Sequence, residues 1–264
     1  LAPGDALDDG LRSSASLAAE RARLGLDAPL LPRLATRLGR LIVLDLGTSL
    51  RYDQPVLPLV WQRTAMTLQA GGLALLAALC IGIPAGVGSS RTRSTLARRA
   101  IAATSIVLLS LPALVVALVL AVMAASLRLP SLAVMVISLA LPAAALIERL
   151  QSRAMDALDH ETCLTAARAR GVPAGVITWR HAWPLSLPSV IGVTGVVAGH
   201  LLSGALAIEL LTARSGLGLL TYEALMARDF DLAAGCAAAA AAIVGVVTLA
   251  ADLVQAWLDP RSAA

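Results

Sequence analysis

The side chains able to perform chemistry are few and far apart in this sequence. Its three cysteines, Cys80, Cys163 and Cys236, are too widely separated to suggest a disulfide framework or a paired-cysteine metal site. The sequence contains neither a His-Glu-x-x-His zinc motif nor a Gly-x-Ser-x-Gly nucleophile motif. We therefore expect no catalytic residue and no metal site, and we expect Cys80 and Cys236, which lie in apolar runs, to be buried.

The basic residues are all arginine, 21 in number, and the chain has no lysine. A phosphate-binding loop of the Gly-x-x-x-x-Gly-Lys type is therefore excluded, so we expect ATP and its magnesium ion to bind on other chains. The net charge of +4 comes with only 3% aromatic residues, and the arginines flank apolar runs. We therefore expect no nucleic-acid partner.

The elements that carry these residues are predicted to be membrane-spanning helices. The 264 residues are 58% hydrophobic and 14% charged, which is too little polar surface for a soluble protein of this size. Five apolar stretches are long enough to cross a bilayer: 64–90, 100–127, 129–147, 181–208 and 232–251. The prediction is an all-α, polytopic bundle in the lipid bilayer, with kinks rather than breaks at Pro84, Pro112 and Pro142.

The distribution of arginine predicts the orientation of these spans. The connection after the first span holds Arg91, Arg93, Arg98 and Arg99, whereas the next connection holds only Arg128. The first connection is therefore expected in the cytoplasm. Alternation then places the loop 148–188 and the C-terminus inside, and it places the loop 212–231 outside.

The same alternation puts residues 1–63 outside as an external N-terminal region, ahead of a membrane domain at 64–264. No apolar run within 1–63 is able to bring that region across the bilayer. Because the first residue is leucine, we expect a signal-anchor helix to precede Leu1, which would give the native protein six spans.

The loop 148–188 carries the clearest local signals. Asp159 is predicted to cap a helix at 160–170, and Gly171 followed by Pro173 is predicted to end it. Small residues on this helix would let another protein approach closely, and its arginines would pair with that partner's acids. The alternative is an interfacial helix that lies on lipid headgroups.

Two ionisable residues lie on the fourth apolar stretch or at its end. His200 is in the middle of the span, where it would line a pathway or donate to a neighbouring helix carbonyl. Glu209 is at the predicted external end, as a gate, a binding-protein contact or a solvated carboxylate. Glycines repeat at four-residue spacing at Gly82 and Gly86 and at Gly195 and Gly199, which predicts close helix packing.

The loop resembles the EAA loop of ABC importer permeases. The matching segment is Thr165-Ala-Ala-Arg-Ala-Arg-Gly171, followed by Arg180-His181, Pro184 and Leu187-Pro188. Further segments are similar to the dipeptide and oligopeptide subfamily: Leu1-Ala-Pro-Gly-Asp5, Leu24-Gly-Leu-Asp27, Asp45-Leu-Gly-Thr-Ser49, Gly204-Ala205 with Glu209, Gly216-Leu-Gly218 and Leu258-Asp-Pro-Arg261. The first and third of these favour the B-type subunit.

The resemblance implies a type I ABC importer permease fold and a set of partners. Those partners would be a C-type permease subunit, two ATPase subunits and an external substrate-binding protein, with a peptide or a related small solute as cargo. The residues implied to dock on the ATPase are Thr165, Ala166, Ala167, Arg168, Arg170, Gly171 and Arg180. The alternative is a secondary transporter, although no inverted repeat or pair of intramembrane charges is visible.

Overall fold

The computed structural model describes Gly39 and residues 45–258, apart from the side chains of 125–127. A short hairpin, in which β1 (Thr48–Ser49) pairs antiparallel with β2 (Gln54–Pro55), precedes the helices. The helices are α1 (Val56–Arg91), α2 (Thr95–Ser110), α3 (Ala113–Leu127), α4 (Ser131–Ala157), α5 (Thr162–Ala169), α6 (Trp183–Ile191), α7 (Thr194–Thr212), α8 (Leu217–Met226) and α9 (Phe230–Leu258). The predicted all-α architecture is confirmed.

Several of these helices are long and apolar enough to cross a bilayer. Within the described residues there are four such helices, α1, α4, α7 and α9, and a fifth span if the bent pair α2 and α3 counts as one. A helix satisfies its own backbone hydrogen bonds, which is why apolar sequence of this length adopts it in lipid. The predicted membrane spans are therefore present.

Two of the three span prolines leave their helices unbroken, as predicted, and one does not. Pro84 and Pro142 lie inside the continuous helices α1 and α4. Pro112 instead separates α2 from α3, and the two helices meet at 98°. The prediction of a kink there was wrong: Leu111, ahead of the proline, adopts an extended backbone with ψ 124°, and Pro112 becomes the N-cap of α3. The stretch 100–127 is thus a broken helix pair.

The span predicted at 181–208 also begins elsewhere. A π-helix at Ile177–Ala182 leads directly into α6, and α6 ends at Ile191. The membrane-length helix is α7, which starts at Thr194 and runs four residues past the predicted end, to Thr212. The proline-rich start of the predicted span therefore belongs to a separate helical segment.

The described residues fall into two compact units. One contains the chain up to Thr64 together with Leu220–Ala239, and the other contains Ala65–Leu219 together with Ala240–Ala264. In the larger unit, small residues of α1 and α3 form one apolar core with α4, α6 and α7, represented by Ala74, Ala117, Met135, Val190 and Leu201.

The glycine spacing predicts one helix contact correctly and another only in part. A Cβ on Gly82 would lie 2.7 Å from the Ala144 carbonyl oxygen, and one on Gly86 would lie 2.6 Å from the Glu148 carbonyl oxygen. The glycines of α1 therefore let the backbone of α4 approach closely. On α7, Gly195 packs against Thr248, whereas a Cβ on Gly199 would meet nothing within 4 Å.

Of the two cysteines in apolar runs, one is buried and the other is exposed. Cys236 is buried as predicted, but Cys80 is exposed on α1, so that part of the prediction was wrong.

Most of the predicted external region 1–63 lies outside the described residues, as do the motifs at Leu1–Asp27 and the residues after Leu258. Those predictions stand as made.

Candidate functional site

The short helix α5 of the loop 148–188 is anchored by one buried side chain. Leu164 is its only buried residue and packs with Val87, Met155, Ile177 and Ala182. These contacts come from α1, α4 and the π-helix, so one leucine fixes the helix against three segments. The other positions of α5 are exposed, except Ala167, which is half-buried.

Gly171 ends this helix as the sequence predicts. Its φ is +75°, a left-handed conformation that glycine adopts without a steric penalty. The Gly171 N–H donates to the Arg168 carbonyl at 3.0 Å, and the Val172 N–H donates to the Ala167 carbonyl at 3.2 Å. These bonds satisfy carbonyls that the last helical turn would otherwise leave unpaired.

The predicted start of the helix was wrong. Leu158–His160 forms a 3₁₀ turn, and α5 begins at Thr162 with Glu161 as its N-cap and no side-chain cap bond. The helix is thus Thr162–Ala169 rather than 160–170. Asp159 is occupied elsewhere, which is the physical reason that it does not cap α5.

Asp159 instead holds two arginines from different parts of the chain. Its carboxylate pairs with Arg91 at the end of α1, and its Oδ1 accepts a bond from Arg168 Nη2 at 3.2 Å. Arg168 Nη1 also donates to the Asp159 carbonyl at 3.0 Å, and Arg91 Nη2 donates to the Met155 carbonyl at 2.9 Å. This Asp159 cluster links the ends of α1 and α4 to α5.

Most of the candidate docking residues are exposed, and one is packed against the buried anchor of α5. Those exposed are Thr165, Ala166, Arg168, Arg170, Gly171 and Arg180, while Ala167 is half-buried beside the Leu164 anchor. The Thr165 hydroxyl donates back to the Glu161 carbonyl at 3.1 Å. Trp179, which precedes Arg180, is 52% exposed, and its ring centroid lies 5.8 Å from that of Trp183 in an edge-to-face arrangement.

Glu209, the second candidate, is buried rather than solvated, with only 1% of its surface exposed. Its Oε1 accepts a bond from the Thr67 hydroxyl at 2.7 Å. Its Oε2 accepts bonds from the Gly218 and Leu219 N–H groups at 2.8 and 3.0 Å. The carboxylate therefore satisfies the first backbone donors of α8.

The glycines of the Gly216-Leu-Gly218 segment make this arrangement possible. A Cβ on Gly216 would lie 2.0 Å from Glu209 Oε1, and a Cβ on Gly218 would lie 2.5 Å from the Leu206 Cα. The Leu217 N–H between them donates to the Thr67 hydroxyl at 2.8 Å. Only glycine at 216 and 218 lets the backbone approach α7 this closely.

His200 lies on an exposed face of α7. Its Nδ1 is 2.9 Å from the Val196 carbonyl oxygen, one turn earlier on the same helix. The structure does not bring His200 and Glu209 together on one site, because Glu209 is enclosed while His200 is exposed.

Sequence reasoning missed the partners of both carboxylates. Thr67 is one polar residue in an apolar run, and nothing local connects it with Glu209. The signal available for Glu209 was the glycine pair at 216 and 218, which begins seven residues after it. For Asp159 the signal was Arg91, a charge directly at the end of a predicted span.

The smaller unit has a polar arrangement of its own. Asp229 Oδ2 accepts bonds from the Ser49 hydroxyl at 2.6 Å and from the Arg51 N–H at 3.2 Å, and Asp229 Oδ1 accepts one from the Leu232 N–H at 3.1 Å. The Tyr52 hydroxyl donates to Glu223. Partial burial, and then the Glu223 carboxylate, raise the pKa of Tyr52. The Asp45-Leu-Gly-Thr-Ser49 segment thus packs beside the residues that precede α9.

Comparisons with known proteins identify the family of this chain. Residues 78–263 match the family model described as "Binding-protein-dependent transport system inner membrane component". A Brucella ovis protein named as a peptide permease is 30% identical over 290 residues, covering 99% of this chain and 90% of that protein. The NikB nickel import system permease of Staphylococcus aureus (strain MRSA252) is 26% identical over 273 residues, covering 99% and 83%.

Solved structures show the same fold at low sequence identity. The MetNI methionine ABC transporter, in an inward-facing conformation, matches with a TM-score of 0.68 and 18% identity over 76% of this chain and 96% of that chain. An amino acid ABC transporter matches with a TM-score of 0.61 and 18% identity over 77% and 94%. The alternative of a secondary transporter has no support here. The chain belongs to the family of binding-protein-dependent transport system inner membrane components, the permease subunits of ABC importers.

Proposed function

We propose that this permease subunit forms half of the translocation pathway of an importer for peptides or a related small solute. A C-type permease subunit supplies the other half, and an external binding protein delivers the cargo. Relatives named for peptide and for nickel transport support a small-solute cargo of this kind. ATP and its magnesium ion bind on two ATPase subunits, since this chain has no lysine for a phosphate loop.

The orientation that we propose follows the arginine distribution. Arg91, Arg93, Arg98 and Arg99 border one short connection, which we place in the cytoplasm with the loop 148–188 and the C-terminus. Residues 1–63 and the loop 212–231 then lie outside. Glu209 and the start of α8 are at the external end of α7 in this orientation, and α5 is at the cytoplasmic side.

The observation that carries the proposal is the construction of α5. Leu164 anchors the helix to three other segments, while Thr165, Ala166 and Arg170 are presented at the surface. The small side chains permit close approach of an ATPase, and the guanidinium of Arg170 is available to a partner carboxylate. Movement of a docked ATPase would be transmitted through Leu164 and the Asp159 cluster to the ends of α1 and α4.

The test replaces Gly171 by valine in the assembled importer. A β-branched residue resists a φ of +75°, so the end of α5 rearranges although the site has open space for a side chain. We expect ATPase binding to weaken by roughly tenfold, with uptake falling in parallel. The measurements are co-purification of the ATPase and uptake into proteoliposomes.

Gly175→Val is the matched control. Gly175 is exposed in the same loop, has open space and does not have a positive φ. It is expected to retain ATPase binding. Normal assembly and transport by Gly171→Val would contradict the proposal, as would an equal loss in both variants, because that result would not depend on the end of α5.

A further inference from the structure

A basic cavity of about 160 Å³ lies between α2 and α4, beside the end of α1. Three arginines line it, Arg98 from the first turn of α2 and Arg149 and Arg153 from α4. The Ser152 hydroxyl and the Glu148 carboxylate contribute further polar atoms. None of the residues implied to dock on the ATPase lines this cavity.

The acid in the cavity does not neutralise its arginines by direct pairing. Glu148 is buried, and its two oxygens accept bonds from the hydroxyls of Ser89 and Ser105, each at 2.7 Å. Among the described residues, no carboxylate lies within salt-bridge distance of Arg98, Arg149 or Arg153. Asp156 faces Arg98 at longer range. Three guanidinium groups therefore face two carboxylates, and the cavity keeps a positive charge.

The face of α2 that carries Arg98 changes from charged to apolar within the next two turns of the helix. Ala102 lines the cavity one turn after Arg98, and Ile106, 49% exposed, follows one turn later. Arg98 and Ile106 are thus about 12 Å apart along one helix face. A charged helix end followed by exposed apolar side chains is complementary to a phospholipid, whose charged headgroup is attached to apolar acyl chains.

We propose that this cavity binds the phosphate of an anionic phospholipid, whose acyl chains lie along the Ala102 and Ile106 face of α2. Guanidinium groups bind phosphate oxygens in pairs of parallel hydrogen bonds, which favours arginine at such a site. Basic pockets between membrane helices at the cytoplasmic side are suited to anionic headgroups. The inference rests on the cytoplasmic placement proposed above.

The experiment measures lipid retained by the purified full chain, using native mass spectrometry after exposure to phosphatidylglycerol, cardiolipin or phosphatidylethanolamine. We expect the wild-type chain to retain the two anionic lipids. Arg98→Gln and Arg153→Gln should each reduce this retention by roughly fivefold, since each basic residue near an anionic surface contributes about that factor. Arg93→Gln is the matched control, because it removes the same charge from a nearby exposed position outside the cavity.

A second arm needs no substitution and separates the sources of phosphate. Anionic lipid is titrated against the wild-type chain with and without millimolar inorganic phosphate. Lipid binding that millimolar phosphate does not weaken supports the proposal, whereas displacement of the lipid by phosphate would assign the cavity to a soluble anion. Equal retention of phosphatidylethanolamine, or equal loss in Arg93→Gln, would overturn the proposal. Neither result bears on ATPase docking, which the Gly171 variant tests separately.

Discussion

Two carboxylates in the larger unit each hold a short helical segment, but they do so by opposite means. Glu209 is enclosed and accepts bonds from a hydroxyl and from the backbone N–H groups that begin α8. Asp159 has 40% of its side chain exposed and holds two arginines, one of them from α5. The first arrangement is a buried cap, and the second is a surface ion-pair cluster.

The difference indicates how firmly each segment is held. Unmade hydrogen bonds are costly where water cannot replace them, so the start of α8 has one permitted position against α7. Exposed ion pairs are weak and are screened by salt, so the contribution of Asp159 to holding α5 is adjustable. We therefore expect the start of α8, at residues 217–219, to be fixed and α5 to be adaptable, which suits a helix that has to receive movement from another protein.

The largest effect on stability is expected from Glu209→Ala. It leaves the Gly218 and Leu219 N–H groups without an acceptor in a buried place, and we expect a loss of about 3 kcal/mol in the free energy of unfolding. The measurement is unfolding of the purified chain in detergent. Glu209→Gln keeps an acceptor oxygen and should lose less than half as much; equal stability of the two variants would contradict the buried cap.

A smaller effect is expected from Gly216→Ala. The new Cβ would lie 2.0 Å from Glu209 Oε1, which cannot move without breaking its bond to Thr67. We expect a cost of about 1–3 kcal/mol in the same unfolding measurement. Gly199→Ala adds the same methyl group to α7 where nothing lies within 4 Å, and it should be near neutral. A harmless Gly216→Ala would show that α8 is not held tightly.

The smallest effect is expected from Asp159→Asn. Loss of the charge weakens the contacts to Arg91 and Arg168, but with partial exposure we expect less than about 1 kcal/mol in the free energy of unfolding at low salt. Repeating the measurement at about 1 M salt should remove most of the difference, because the Debye length falls to about 3 Å. The control is Asp53→Asn, an exposed acid. A large effect that does not depend on salt would place Asp159 in the same class as Glu209.

Sequence reasoning succeeded where the signal is local. The apolar stretches predict helices because their length and composition act through the bilayer alone, and Gly171 ends α5 because its own φ is positive. Contacts between residues that are distant along the chain could not be predicted in this way. Asp159 is of a residue type and at a position typical of an N-cap, but it pairs instead with Arg91, which is distant along the chain. For Glu209 the sequence predicts the external end of a span, as a gate, a binding-protein contact or a solvated carboxylate, and the structure encloses it with Thr67 and the glycines of 216–218.

The order of residues alone predicts a membrane-spanning permease with an arginine-rich loop helix that ends at Gly171. Apolar length, arginine position and glycine conformation are each properties of one continuous segment, so they can be recognised without knowing which segments meet. Three features depend instead on how the helices pack: the right-angled break at Pro112, the enclosure of Glu209 and the basic cavity between α2 and α4. Each of these depends on which helices meet, and burial and charge pairing are properties of the contact rather than of either segment.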